Sequence, residues 1–145
     1  MSTSIHRRVD RLRAGEDPTF IERLPSGWAV MGDPQVLVGY CVLLPDPVVP
    51  SLNALGKQER LEFLGDMVAL GDAVLAATGA LRINYAILGN LDPALHAHVL
   101  PRHAHEPEAN RTAHPWTYDW SRAPRFEAAS AADLIGAIRS RLARA

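Results

Sequence analysis

The chain has 145 residues, a formal net charge of −1 and apolar side chains at 48% of positions, enough for one domain that buries roughly two thirds of the surface its unfolded form exposes. A near-neutral balance excludes a general attraction to nucleic acid, and one cysteine, Cys41, excludes an intrachain disulfide. Met1 to Asp10 carries no apolar signal core and no apolar run reaches the length of a membrane span, so the expectation is a cytoplasmic protein with no membrane or nucleic-acid partner.

Ser4 to Ala14 places Ile5, Val9 and Leu12 on one stripe and Arg7, Arg8, Arg11 and Arg13 around it, which predicts a short amphipathic helix ended by Gly15-Glu16-Asp17-Pro18. Thr19–Leu24, Trp28–Met31 and Val36–Leu44 read as three strands of an antiparallel meander, separated by the turn signals Pro25-Ser26-Gly27 and Gly32-Asp33-Pro34. Cys41, inside the third, reads as a small buried hydrophobe. From Pro45 to Pro50 three prolines lack ladder donors, so that segment is an extended crossing.

Leu61, Leu64, Met67, Val68, Gly71, Val74 and Leu75 then recur at three- and four-residue steps, which predicts one long helix from Lys57 to Thr78 with Gly79 as its stop. Leu81–Leu88 and Leu95–Leu100 read as two more strands, joined by Gly89-Asn90-Leu91-Asp92-Pro93. Beyond Arg102 the chain is polar and proline-rich, with Trp116, Tyr118 and Trp120 at alternate positions, and Ala131 to Ala145 forms a last helix that carries Arg139, Arg141 and Arg144 on a solvated face. The pattern is an α+β domain over residues 1–145: an antiparallel sheet with one long helix and terminal helices, its core at about 19–102 and a tail at 103–145.

Within Pro93-Ala94-Leu95-His96-Ala97-His98-Val99-Leu100-Pro101-Arg102 two imidazoles stand two residues apart, a spacing that points both to one face of a strand while the apolar neighbours face the other way. Such a pair can attack as a neutral nucleophile, move protons near neutral pH or bind a metal. The plain alternative is a pair of satisfied core or surface residues. A metal centre drawing on His96, His98, His103, His105 and His114 lacks a cysteine or carboxylate at ligand spacing, so no metal and no cofactor are expected.

The motif resembles that of the histidine triad family, His-φ-His-φ-His-φ-φ with φ apolar, here Ala94-Leu95-His96-Ala97-His98-Val99-Leu100. Upstream, Gly39-Tyr40-Cys41-Val42-Leu43-Leu44-Pro45 is similar to the family's Gly-His-x-Leu-Val-x-Pro strand, and Asn84-Tyr85 with Leu88-Gly89-Asn90 extends the likeness. It covers about Trp28 to Arg102, and Tyr85 through Arg102 looks most like the branch containing diadenosine polyphosphate hydrolases. The resemblance implies that His96 attacks the α-phosphorus of a small-molecule nucleotide, that the nucleotidyl-histidine is resolved by water, that His98 contacts the same phosphate and protonates the leaving group, and that two copies form a homodimer. It further implies phosphate contacts at Gly89 and Asn90, a second polar contact at Asn84, a ribose-binding acid at Asp33 and a phosphate-neutralising Arg102. Asn84, Asn90 and Asp33 also lie near turns, where such side chains cap backbone groups, and Arg102 would serve equally at a strand end. The aromatic tail reads as closing a dimer or the pocket edge rather than as reading a base. Three positions depart from the pattern: Ala94 replaces the first histidine, Tyr40 replaces the histidine of the upstream strand, and Leu91 stands where a Ser or Thr hydroxyl is common. A nucleotide-binding protein without chemistry is the alternative these departures raise.

Overall fold

The structure is a computed structural model that describes residues 2–143. Helix α1 spans Ser4–Arg13, with Thr3 and His6 forming a reciprocal capping box at its start. Strands β1 (Phe20–Leu24), β2 (Gly27–Met31) and β3 (Cys41–Pro45) follow, then the long helix α2 (Lys57–Thr78), β4 (Arg82–Ala86), β5 (Ala97–Arg102), the short α3 (Glu108–Arg111) and α4 (Ala128–Leu142). The five strands form one antiparallel sheet in the order β1-β2-β3-β5-β4.

The side chains of β3 and β5 alternate between two cores, as the period of a strand requires. Cys41, Leu43, Ala97 and Val99 face α2 and α4, where they pack with Phe63, Leu70, Val74 and Ile138. Val42, Leu44 and Leu100 face the other way and pack with Ile5, Val9 and Leu12 of α1. Both layers are needed: a sheet apolar on both faces must be covered on both. The amphipathic stripe of α1 is the lid of the second core, and the predicted long helix coincides with α2, whose stop is Gly79 in the left-handed conformation (φ 71°). Among the described residues no helix is long and apolar enough to cross a membrane.

Several expected boundaries change, among them the fifth strand, which runs from Ala97 to Arg102 rather than from Leu95 to Leu100. The third strand was expected from Val36, but pairing begins only at Cys41. Gly39 at φ 99° turns the chain out of the extended region, and the Gln35 amide holds the turn by donating to the carbonyls of Gly32 and Tyr40 and accepting from the Gly39 N–H. The fourth strand ends at Ala86 because its partner β5 begins beside it, the last pair being Ala86 with His98. The last helix starts at Ala128 rather than Ala131; its expected final residues, including Arg144, lie outside the described residues.

Candidate active site

His98 lies within β5 beside Val42 of β3 and Ala86 of β4, and its neighbours Ala97 and Val99 are fully buried toward α2. His96 was expected inside this strand but precedes it, because pairing starts only at Ala97; its ring still meets that of His98 edge to face at 4.9 Å. The Nδ1 of His96 is 2.8 Å from the carbonyl oxygen of Ala94. A carbonyl can only accept, so Nδ1 carries the proton and Nε2 holds a free lone pair. The acceptor is backbone, so the alanine at position 94 still supplies it.

The Nδ1 of His98 is 2.6 Å from the hydroxyl of Tyr40. Burial pushes the Tyr40 phenol well above its ordinary range, so it keeps its proton, and His98 Nδ1 is the only partner of that hydroxyl among the described residues; the hydroxyl therefore donates to Nδ1, leaving His98 with Nε2–H as its outward donor. Burial, and secondarily the neighbouring His96, lower the His98 pKa from 6.5 to about 4. His98 is thus a neutral hydrogen-bond donor at physiological pH. Tyr40 fits because residue 32 is glycine: a Cβ there would stand 2.2 Å from carbons of the Tyr40 ring.

The tail closes over this pair. Trp116 and Trp120 stack at 5.1 Å with 11° between planes; Trp116 meets His98 edge-on at 5.4 Å and Trp120 meets Tyr40 at 5.4 Å. The tryptophans of the tail thus lie against His98.

The remaining expected residues are distributed around the dyad. Gly89, at φ 71°, borders a cavity of about 280 Å³ together with His96, Ser51 and Asn53. Asn90 is exposed beside it, and Leu91 is 99% exposed, so this side chain offers the site neither a hydroxyl nor a wall. Asn84 and Arg102 are joined to each other on the dyad's face of the sheet. Arg102, only 4% exposed, donates to Asn84 Oδ1, to both oxygens of Glu106 and to the carbonyls of Asn110 and Ala113. It clamps the tail to the sheet. Glu106, held below the usual carboxylate range by Arg102 and Tyr118 against the opposing effect of burial, also accepts from the Tyr118 hydroxyl. Asp33 sits apart, at a cavity of about 470 Å³ bordered by Ser4, Ile5 and Phe126. Both its oxygens accept from Arg125 at 2.8 and 2.9 Å, and the Phe126 N–H adds a third bond; the Arg125 bond chiefly holds the carboxyl low. His103 and His105 stack on one another away from the dyad, with His103 Nε2 donating to the Val38 carbonyl. Among the described residues no three His, Cys, Asp or Glu side chains gather as metal ligands.

Sequence reasoning read Tyr40 as a lost histidine and did not see its bond to His98. The signal was its place in the Gly-His-x-Leu-Val-x-Pro pattern, where a side chain reaching the triad strand is expected. The Ala94 carbonyl left no side-chain signal at all.

No family model matches the sequence, and no curated relative matches it. Solved structures do. A histidine triad protein of Bradyrhizobium japonicum superposes with a TM-score of 0.72 at 22% identity, covering 90% of this chain and 94% of its own. One from Sinorhizobium meliloti gives 0.73 at 20% identity over 90% and 93%, and a hypothetical histidine triad nucleotide-binding protein of Sulfolobus tokodaii gives 0.73 at 13% over 94% and 91%. The chain therefore has the fold of the histidine triad proteins. At these identities the likeness defines the architecture, and what the site does is argued from its own residues.

Proposed function

We propose that the chain is a nucleotide hydrolase or nucleotidyl transferase of the histidine triad type, acting through a nucleotidyl-histidine on His96. The observation that carries the reading is the 2.8 Å bond from His96 Nδ1 to the Ala94 carbonyl, because it fixes the ring and its tautomer with the nucleophilic nitrogen outward. The Nε2 lone pair forms a bond to the α-phosphorus while the bond to the leaving group breaks, its electron pair departing with that group. The positive charge arising on the imidazole is stabilised through Nδ1–H by the same carbonyl. His98 Nε2–H donates to a phosphate oxygen. Water then displaces the histidine and releases a nucleoside monophosphate.

Because Tyr40 keeps its proton and His98 is neutral, His98 is better suited to hydrogen bonding than to proton delivery. That supports leaving groups stable as anions, such as the phosphoanhydride products of diadenosine polyphosphates, over amines. A cytoplasmic homodimer belongs to the same reading. The supports for the dimer are Leu61 and Val68 exposed on α2 and Leu81 and Tyr85 exposed at β4, beside an outer strand edge that no other strand among the described residues pairs with.

The first test is turnover of a panel of dinucleoside polyphosphates and adenosine phosphoramidates. His96→Ala should lose roughly 10³-fold or more in kcat; a variant as fast as the parent would remove His96 from the reaction. Measurable mononucleotide affinity with no turnover anywhere on the panel would instead favour a binding protein, a reading that the exposed Leu91 keeps open.

A further inference from the structure

The sheet face that carries the histidines continues along β4 and ends among cations that the reaction above does not use. Ala86 lies beside His98, Asn84 beside Leu100 and Arg82 beside Arg102, and alternate residues of a strand share a face. Arg82 is thus about 14 Å along β4 from the position next to His98, at ~3.4 Å per residue. The first part of this path is bordered by Ala86, Asn84 and Trp116, the same Trp116 whose ring meets His98 at 5.4 Å. Beyond Asn84 it opens into a cavity of about 590 Å³ bordered by Arg82, Arg111 and His114.

The charge there is unbalanced. Among the described residues no acidic side chain borders the cavity and neither Arg82 nor Arg111 forms an ion pair, although seven such pairs occur, one of them on Arg102 in the cavity wall. The Arg102 guanidinium beneath is neutralised by Glu106 at 3.0 Å. His114 accepts the Trp116 N–H at Nδ1, which leaves its Nε2–H as a further donor. Two exposed guanidinia and an imidazole N–H around one cavity make a set of oxyanion donors.

We propose that this cavity is a leaving-group subsite that binds a phosphate carried on the departing half of the substrate, with Trp116 packed against the portion in between. The assignment as a leaving-group site rests on the nucleotidyl-transfer reading; the affinity for phosphate does not. The intact protein and the Arg82→Gln/Arg111→Gln variant are titrated calorimetrically with inorganic pyrophosphate. The double variant should bind about tenfold more weakly or worse. Absence of binding to the parent, or unchanged binding by the double variant, would overturn the proposal. A kinetic arm compares two substrates with the same adenylyl half, one releasing a neutral phenol and the other a phenol bearing a terminal phosphate. The double variant should raise KM about tenfold for the second alone, and an equal loss on both would contradict the assignment. Arginine-dependent pyrophosphate binding without turnover of either substrate would uphold the anion site while removing the nucleotidyl-transfer reading.

Discussion

Tyr40 occupies the position of a histidine in the resembling family, and the consequence falls on His98. A histidine partner could pass a proton in either direction, whereas a buried phenol donates and keeps its proton. Tyr40→Phe removes that donor and frees the His98 ring to turn or change tautomer, so kcat should fall about 10- to 100-fold with KM little changed, the size of effect seen when a supporting hydrogen bond is lost. Steady-state kinetics on the best substrate of the panel checks this, and an unchanged kcat would show that the 2.6 Å bond does not orient the reacting pair. His98 also ties stability to pH. Its folded pKa lies near 4, below the ordinary 6.5, so between those values the unfolded chain takes up a proton that the folded chain refuses. The stability from the neutral ring is present above pH 6.5 and is lost as pH falls toward 4. The midpoint of urea denaturation should drop through that window in the parent and drop less in His98→Gln; parallel curves would contradict it.

Arg102 is the joint between two elements, the end of β5 and the tail. Removing it in Arg102→Ala leaves Glu106 buried without its cation and the Asn84 and Ala113 oxygens without a donor, while the Asn110 carbonyl keeps the Ala113 N–H, so the expected cost is about 3–5 kcal/mol. Urea denaturation measures it, and a loss below about 1 kcal/mol would assign the clamp to other contacts. The stacked Trp116 and Trp120 depend on the same joint, since the segment between Arg102 and Trp116 is held through Glu106, Asn110 and Ala113. The legibility of each element follows the range of the forces that shape it. Helix α2 could be placed at about Lys57 to Thr78 because its periodicity and the Gly79 stop are local. The start of β3 could not, because Gln35 closes the preceding turn through bonds to Gly32 and Tyr40 that only the folded turn brings near. Arg102 was legible as a cation at a strand end; two of its acceptors are main-chain carbonyls, which have no sequence signature. His96 and His98 were legible as a pair from their two-residue spacing, but the period of a strand places only His98; His96 precedes β5 and is held by the Ala94 carbonyl, which has no sequence signature.

For the whole molecule, the outer edge of β4 and the apolar residues next to it are the open side of an otherwise two-sided structure. Light scattering should give twice the chain mass, and Val68→Glu should shift the protein toward the monomer; a monomeric parent at working concentration would contradict the dimer. The sheet supplies His98, α1 covers one core and the tail packs over the histidine pair, so the proposed chemistry comes down to one nitrogen, His96 Nε2. That convergence is what intact-mass spectrometry tests most directly, after brief incubation with the mixed panel of dinucleoside polyphosphates and phosphoramidates, quenched and kept alkaline because the phosphohistidine bond is acid-labile. A mass increase of one nucleotidyl group in the parent and none in His96→Ala is the predicted result. Turnover with no adduct in the parent, or an adduct that persists in His96→Ala, would contradict covalent chemistry at His96.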